Sequence, residues 1–337
     1  MKSTHLTQEP FQLFALGLDA GGTSTRWALA DRSGQGVAEG KAAALSGWML
    51  TSADGQKQMS AALQDIAKQC QTLIHAEPAT ATGPLAALCF GLTGFDGDAA
   101  PQLAPLLTQA FGLPAARQRL FNDVELACRA VFAPGEGYLV YAGTGSVAAF
   151  VDEHEVQHRA GGRGGLIDDG GSGYWIAREA LRHIWRAEDE APGCWMQSAM
   201  AQRVFAKVGG SDWSASRSWV YGASRGQLGE LAVAVADAAD EDAAAMDILQ
   251  RAGFELARLG LALVRRCGAR PLALAGRVFD LHPAVQLAAQ QGLAGFELLP
   301  RQVLQAHHTA AGLAARLAAQ MAAQMDANVA VNTPGGA

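Results

Sequence analysis

Two stretches of this chain spell the same structural unit. Residues 14–40 open on an apolar strand, FALGLDA, turn through glycine, threonine and serine, and resume as RWALAD. A polar turn at Ser33-Gly34 and a third strand, GVAEGKAAA, follow. Residues 137–162, GYLVYAGTGSVAAFVDEHEVQHRAGG, repeat that order. Ala20-Gly21-Gly22-Thr23 corresponds to Ala142-Gly143-Thr144-Gly145, and Tyr141 stands where Asp19 stands in the first copy. Self-similarity of this kind predicts two similar α/β domains, each offering one Gly-rich turn to a cleft between them. The Pro/Gly stretch at 133–137 marks the boundary. The expected division is 1–133, 134–325 and a small, polar tail at 326–337 that is expected to be disordered.

The intervening sequence fits this scheme. Helical spacing places Leu63, Ile66, Ala67, Cys70, Leu73 and Ile74 on one face of a helix over 52–76. The apolar run LAALCFGLTG (85–94) reads as a strand buried on both faces. A helix over 101–111, a strand over 117–123 and a helix over 124–132 complete the first half. The second half is mostly helical, with helices expected over 172–188, 195–208, 227–239, 241–267 and 303–325, and a strand within 271–280. The last helix, rich in alanine, is expected to pack on the body or on a partner subunit.

Composition narrows the class. Hydrophobic residues make up 50% of the 337 and charged residues 17%, enough for a large core. The net charge of −6 implies no basic face, so nucleic acid is excluded as a partner. Glycine numbers 39, against a usual share of about 7%, and the excess clusters in loops where a ligand approaches backbone. The five cysteines (Cys70, Cys89, Cys128, Cys194, Cys267) form no CxxC pair, which points to reduced thiols rather than a disulfide frame or a zinc or iron–sulfur site. No signal peptide and no membrane span is evident, and the expected location is the cytoplasm.

Four stretches carry candidate chemistry. Asp19 with Gly21, Gly22, Thr23 and Thr25 is either a hairpin turn or a phosphate loop. Glycine-exposed N–H groups and hydroxyls suit phosphate oxygens, and an acid beside them calls for a divalent cation such as Mg²⁺. Gly143, Thr144, Gly145 and Ser146 pose the same alternative. Asn122-Asp123 ends a strand, where α/β sheets bind ligands. Asp123 there is a candidate general base, an N-cap for the next helix, or both. The Gly/Asp-rich run AGGRGGLIDDGGSG (160–173) has two adjacent acids, Asp168 and Asp169, suited to the hydroxyls of a polar small molecule. Trp48, in LSGWML, is a candidate to face the cleft. The histidines show no metal-binding spacing.

The ordered set DAGGTST, GLTG, FND, AGTGS, GGxGxxxDDGGSGYWI and LALAGRVF resembles the N-acetylglucosamine kinase and BadF/BadG-type ATPase branch of the sugar kinase/Hsp70/actin superfamily, over about residues 13–320. The resemblance implies two ribonuclease-H-like (actin-like ATPase) domains that close over ATP and an amino sugar. It implies Asp19 as the Mg²⁺ residue, Gly21, Gly22, Thr23 and Thr25 with Gly143, Thr144, Gly145 and Ser146 as phosphate-binding, Asp123 as the base, and Gly276 and Arg277 as adenosine-binding. It implies Asn122, Asp123, Gly161, Gly162, Asp168, Asp169 and Trp48 as sugar-binding. The implied reaction is phosphorylation of an amino sugar hydroxyl, N-acetylglucosamine to its 6-phosphate, by a homodimer. Glucosamine or another sugar, or an ATPase activator without kinase activity, are the alternatives. The departures from the family pattern gather around the sugar. Asp168-Asp169-Gly170-Gly171-Ser172 stands for GDEGS, Val147 follows the second turn in place of Asn, Arg163 replaces the Trp of GGWG, and the usual Asn is missing from ALSGWML.

Overall fold

A computed structural model describes residues 14–76, 85–300 and 304–332. It resolves into two compact units. One comprises the described residues up to Ala130 together with those from Gln305 onward; the other is Val131–Leu304.

The first unit begins with three antiparallel strands, β1 (Phe14–Ala20), β2 (Thr25–Ala30) and β3 (Gly36–Ala42). After α1 (Ala53–Ala76) comes β4 (Leu85–Leu92), which pairs parallel to β1. After α2 (Ala100–Phe111) comes β5 (Gln118–Asn122), parallel to β4, and then the short α3 (Asp123–Arg129). The sheet order is β3-β2-β1-β4-β5. Continuous apolar runs make β1 and β4 central, while β3, with Glu39 and Lys41, sits at an edge. One face is covered by α1 and α2 through Met59, Leu63, Ile66, Leu103 and Leu107.

The second unit opens the same way with β6 (Tyr138–Ala142), β7 (Ser146–Val151) and β8 (Gln157–Gly161). Five helices follow, α4 (Gly173–Glu190), α5 (Ala199–Val208), α6 (Trp213–Gly222), α7 (Arg225–Gly229) and α8 (Leu231–Ala238), and then the long α9 (Ala243–Cys267). The strand β9 (Leu272–Ala275) pairs parallel to β6, giving the order β8-β7-β6-β9, and α10 (Pro283–Gly292) packs on α9. Each sheet is thus an antiparallel meander extended by parallel strands, the ribonuclease-H-like pattern, and two such units make an α/β actin-like ATPase fold.

The repeat persists at the level of single hydrogen bonds. Asp31 opens the β2–β3 turn by accepting from the Ser33 and Gln35 N–H groups at 2.8 and 3.1 Å. Asp152 opens the β7–β8 turn by accepting from His154 and Val156 at 2.9 and 2.8 Å. An Asp side chain that bonds its own turn selects this geometry locally. The fourth residue of each turn is left-handed, Gly34 at φ 85° and Glu155 at φ 62°.

The final helix, α11 (Ala306–Asn332), departs from the expected division. The sequence assigned this segment to the second domain. Instead Ala306, Ala310, Ala314 and Ala315 pack with Ala15, Ala87, Cys89, Phe121 and Leu126 of the first unit. Small side chains on both surfaces let the helix lie close. A Cβ on Gly17 would stand 2.1 Å from the Ala311 nitrogen and 2.3 Å from the His307 oxygen. The helix also runs on into the segment expected to be a disordered tail; residues 333–337 lie outside the described residues. Helices α6 and α10 were not anticipated, and the expected helix over 227–239 is two pieces, α7 and α8. None of the five cysteines is in a disulfide, and burial pushes Cys70 and Cys89 up to about 12, which suits packing rather than reactivity. Among the described residues, no helix is long and apolar enough to cross a membrane.

Two glycine substitutions separate close approach from helix propensity. Gly17→Ala should cost about 3 kcal/mol or more, because its methyl meets backbone rather than a movable side chain. Gly312→Ala, in α11 with no atom within 4 Å of the new methyl, should stabilise by about 0.5–1 kcal/mol. Denaturant midpoints of the two variants read the difference.

Candidate active site

In the first unit, candidate residues collect at the carboxyl edge of the sheet. The register pairs Ala20 with Leu92 and Leu92 with Asn122, so Asp19 and Asp123 end up on the same edge with β4 between their strands. Asn122 caps α3, its Oδ1 accepting from the Glu125 N–H at 2.8 Å. The cap is therefore Asn122, not Asp123, which is the first helical residue and accepts from its neighbour Val124 at 2.9 Å.

Asp19 is half-buried, and its carboxyl is pushed up to about 6. Burial is the first cause and the charge of Asp123 the second, with Arg26, its partner across β2, pulling the other way. Beyond it the turn is closed by the Gly21 N–H donating to the Ser24 carbonyl at 3.1 Å, which leaves Gly22 and Thr23 exposed at the tip. Thr25 is fully buried and donates its hydroxyl to the Ala43 carbonyl at 2.7 Å. Its hydroxyl ties the turn to the chain after β3.

The Trp48 loop is fastened to the same edge. Thr93 donates from its backbone to Ala20 at 2.9 Å and accepts from Gly47 at 2.8 Å. Ser46 caps the short 3₁₀ turn Gly47–Thr51. Trp48 is 75% exposed, its indole lying over Gly94. Trp48 is therefore not a core residue, although backbone bonds hold its loop to the sheet edge.

In the second unit, the turn Gly143–Gly145 docks on the start of α4. The Gly143 and Thr144 carbonyls accept from the Gly173 and Tyr174 N–H groups at 2.9 and 3.3 Å. Ser146 is buried and donates to the Gly170 carbonyl at 2.7 Å, so its hydroxyl, like that of Thr25, anchors a loop. Gly276, at φ 105°, follows β9 so closely that a Cβ would stand 2.2 Å from the Ala142 oxygen, and Arg277 next to it is exposed. Both therefore lie beside the strand that leads into the second turn.

In the Gly/Asp loop both acids, expected to meet the hydroxyls of a small molecule, have protein partners. Gly161, Gly162 and Gly164 are left-handed, and so is Asp169 at φ 57°, a strained conformation for a residue that is only 1% exposed. Asp169 accepts from the Gly164 N–H at 3.2 Å and pairs with Arg225 at the start of α7. Asp168 accepts from the Gly170 N–H at 3.1 Å and pairs with Arg258 of α9 at 3.2 Å, which also holds Glu255 at 2.7 Å. Sequence reading missed Arg225, Arg258 and Glu255. The Ser224-x-x-Gln227 capping box was a legible sign of a helix start at Arg225; nothing in the sequence joined Arg258 to the loop.

The chain belongs to the BadF/BadG/BcrA/BcrD ATPase family, whose sequence profile matches residues 16–291. It is 27% identical over 183 residues to an N-acetyl-D-glucosamine kinase of Dictyostelium discoideum. That match covers 52% of this chain and 55% of the relative, so the chain spans about half the length of the curated relative it matches. Among solved structures it is similar to a Chromobacterium violaceum protein provisionally assigned as an N-acetylglucosamine kinase, with a TM-score of 0.69, 25% identity, and coverage of 92% of this chain and 100% of that one. A ROK-family glucokinase from Streptomyces griseus, solved with glucose and AMPPNP, shares the fold with a TM-score of 0.52 and 19% identity, over 91% of this chain and 99% of that one.

The raised Asp19 value has a consequence for stability. The carboxyl ionises near 3.8 in the unfolded chain but near 6 in the folded protein, so between those values the folded state holds the extra proton. Stability falls as pH rises through that window, by on the order of 2–3 kcal/mol. Asp19→Asn should therefore unfold at higher urea than the parent at pH 7.5, and the two should converge near pH 4. Equal midpoints at pH 7.5 would remove the burial argument.

Proposed function

We propose that this chain is a sugar kinase that transfers the γ-phosphoryl group of ATP to an amino sugar, N-acetylglucosamine at its 6-hydroxyl. The observation that carries the reading is the pair of acids on one sheet edge, one penalised as an anion and the other at a helix start. Asp123 accepts the proton of the acceptor hydroxyl as its oxygen bonds to the γ-phosphorus and the bond to the β-phosphate oxygen breaks. Asp19 fits Mg²⁺, because a carboxylate disfavoured by burial and by a neighbouring acid gains most from a cation. The bound ion would neutralise charge on the phosphates.

The exposed tip at Gly22 and Thr23, in the turn that the Gly21 N–H closes, and Thr144 and Gly145 in the turn that the Gly143 N–H closes suit phosphate oxygens through their backbone N–H groups. Thr25 and Ser146 hold those turns in shape. Gly276 and Arg277 are proposed for adenosine. Trp48 offers a flat apolar face to a sugar ring, and Asn122 lies beside the base. Asp168 and Asp169, with Gly161 and Gly162, shape the second unit's loop, where Arg258 and Arg225 become additional candidates for acceptor choice. A cytoplasmic homodimer is part of the proposal.

The similarity to N-acetylglucosamine kinases supports the acceptor, and the departures at Arg163, Val147 and Asp168 make it the point to measure. ADP release should be followed with N-acetylglucosamine, glucosamine, N-acetylmannosamine, glucose and muramic-type sugars. The largest kcat/KM should belong to N-acetylglucosamine. Asp123→Asn should keep ATP binding and lose about 10²–10⁴-fold in turnover. Parental turnover in that variant would remove Asp123 as the base, and ADP release unchanged by any sugar would favour an ATPase without kinase activity.

A further inference from the structure

The start of α11 carries a cluster that the proposed reaction does not use. His307 and His308 are consecutive in its first turn, and the edge strand β3 brings Glu39 to both. His308 Nε2 lies 2.8 Å from Glu39 Oε2, and His307 Nε2 lies 3.3 Å from the same oxygen. The donor atoms of all three residues fall within 4.8 Å of one another. We propose that Glu39, His307 and His308 bind a divalent metal ion of the zinc class.

The donor chemistry and the spacing agree. Two imidazole nitrogens and one carboxylate oxygen are a ligand set that zinc takes readily, with water completing a tetrahedron. Zinc–nitrogen and zinc–oxygen bonds of about 2.0–2.2 Å place neighbouring ligand atoms about 3.4 Å apart. A small movement of the carboxylate away from His308 opens that distance. Glu39 and His308 are exposed enough for an ion to arrive from solvent. The positive group acting on His307 from the sheet is Arg26, and the carboxylate offsets it. Among the described residues the buried His307 Nδ1 finds no hydrogen-bond partner of the kind that usually steadies a metal-bound imidazole. His308 should therefore contribute more affinity than His307.

Bound there, the ion would join Glu39 of β3 to His307 of α11, 268 residues later in the chain. Because the unfolded chain does not assemble this set, binding would stabilise the native state.

Calorimetric titration of the tag-free full chain with zinc chloride, at pH 7.5 in a non-chelating buffer, tests this. The expected result is one ion per chain and a rise in Tm that a chelator reverses. Glu39→Gln and His308→Gln should each weaken binding by at least about tenfold and remove the Tm rise, while Cys194→Ser should leave both intact. Both changed side chains are at least partly exposed, and Tm without zinc confirms that the variants fold. No stoichiometric binding by the parent, or zinc binding by both variants at parental affinity, would overturn the proposal. In that case the two histidines act only as hydrogen-bond ties between α11 and β3.

Discussion

The backbone of α11 lies against β1 at Gly17, where even a methyl group has no room. Much of the first unit follows from that contact. The sheet is covered on one face by α1 and α2, and the late helix closes the other with alanines. Strand β1, in the middle of the sheet, is thereby buried on both sides. Asp19 is two residues further along β1 and points to the same face as Gly17. A carboxylate at the end of a doubly covered strand loses much of its water, which is why burial leads the causes that push it up to about 6. An element from the far end of the chain thus covers the strand that carries Asp19.

The two meanders show what a repeat retains and what it gives up. The Asp31 and Asp152 turns keep the same side-chain bonds and the same left-handed fourth residue, although only one copy has glycine there. Thr25 and Ser146 both begin the second strand, and both bury a hydroxyl that donates to a loop carbonyl. These features are architectural, since each satisfies a backbone group that would otherwise be stranded at a strand end. The position that diverges is Asp19 against Tyr141. The strand pairings place each one residue before the end of its first strand, Asp19 opposite Arg26 and Tyr141 opposite Val147. The shared features build the scaffold, and the difference puts charge in one unit alone.

Features written in local sequence were legible. Period-two and continuous apolar runs gave the strands, the helical spacing of Leu63, Ile66 and Cys70 gave α1, and the Gly/Thr turns gave both hairpins. The placement of Asp19 and Asn122-Asp123 at strand ends followed from the same runs. What depended on distant partners was not legible. Nothing near residue 306 says which sheet receives an alanine-rich helix; Gly17 decides it, and a lone glycine in a strand has many readings. The partners of Asp168 and Asp169, Arg258 and Arg225, were not legible because they arrive from helices much later in the chain. The exchange of cap between Asn122 and Asp123 was a local matter that residue type could not settle, since both side chains cap well.

That exchange divides the labour of the two acids. With Asn122 taking the cap, Asp123 stands at the first helical position, where backbone N–H groups and the helix dipole favour a negative charge. Its Oδ1 already receives the Val124 N–H. Asp19 has the opposite surroundings, with burial and the charge of Asp123 opposing its anion and Arg26 alone favouring it. An anion that the fold penalises suits a cation, because a positive ion relieves both burial and repulsion at once. The two carboxylates differ in surroundings because one lies near the end of a covered strand and the other begins a capped helix.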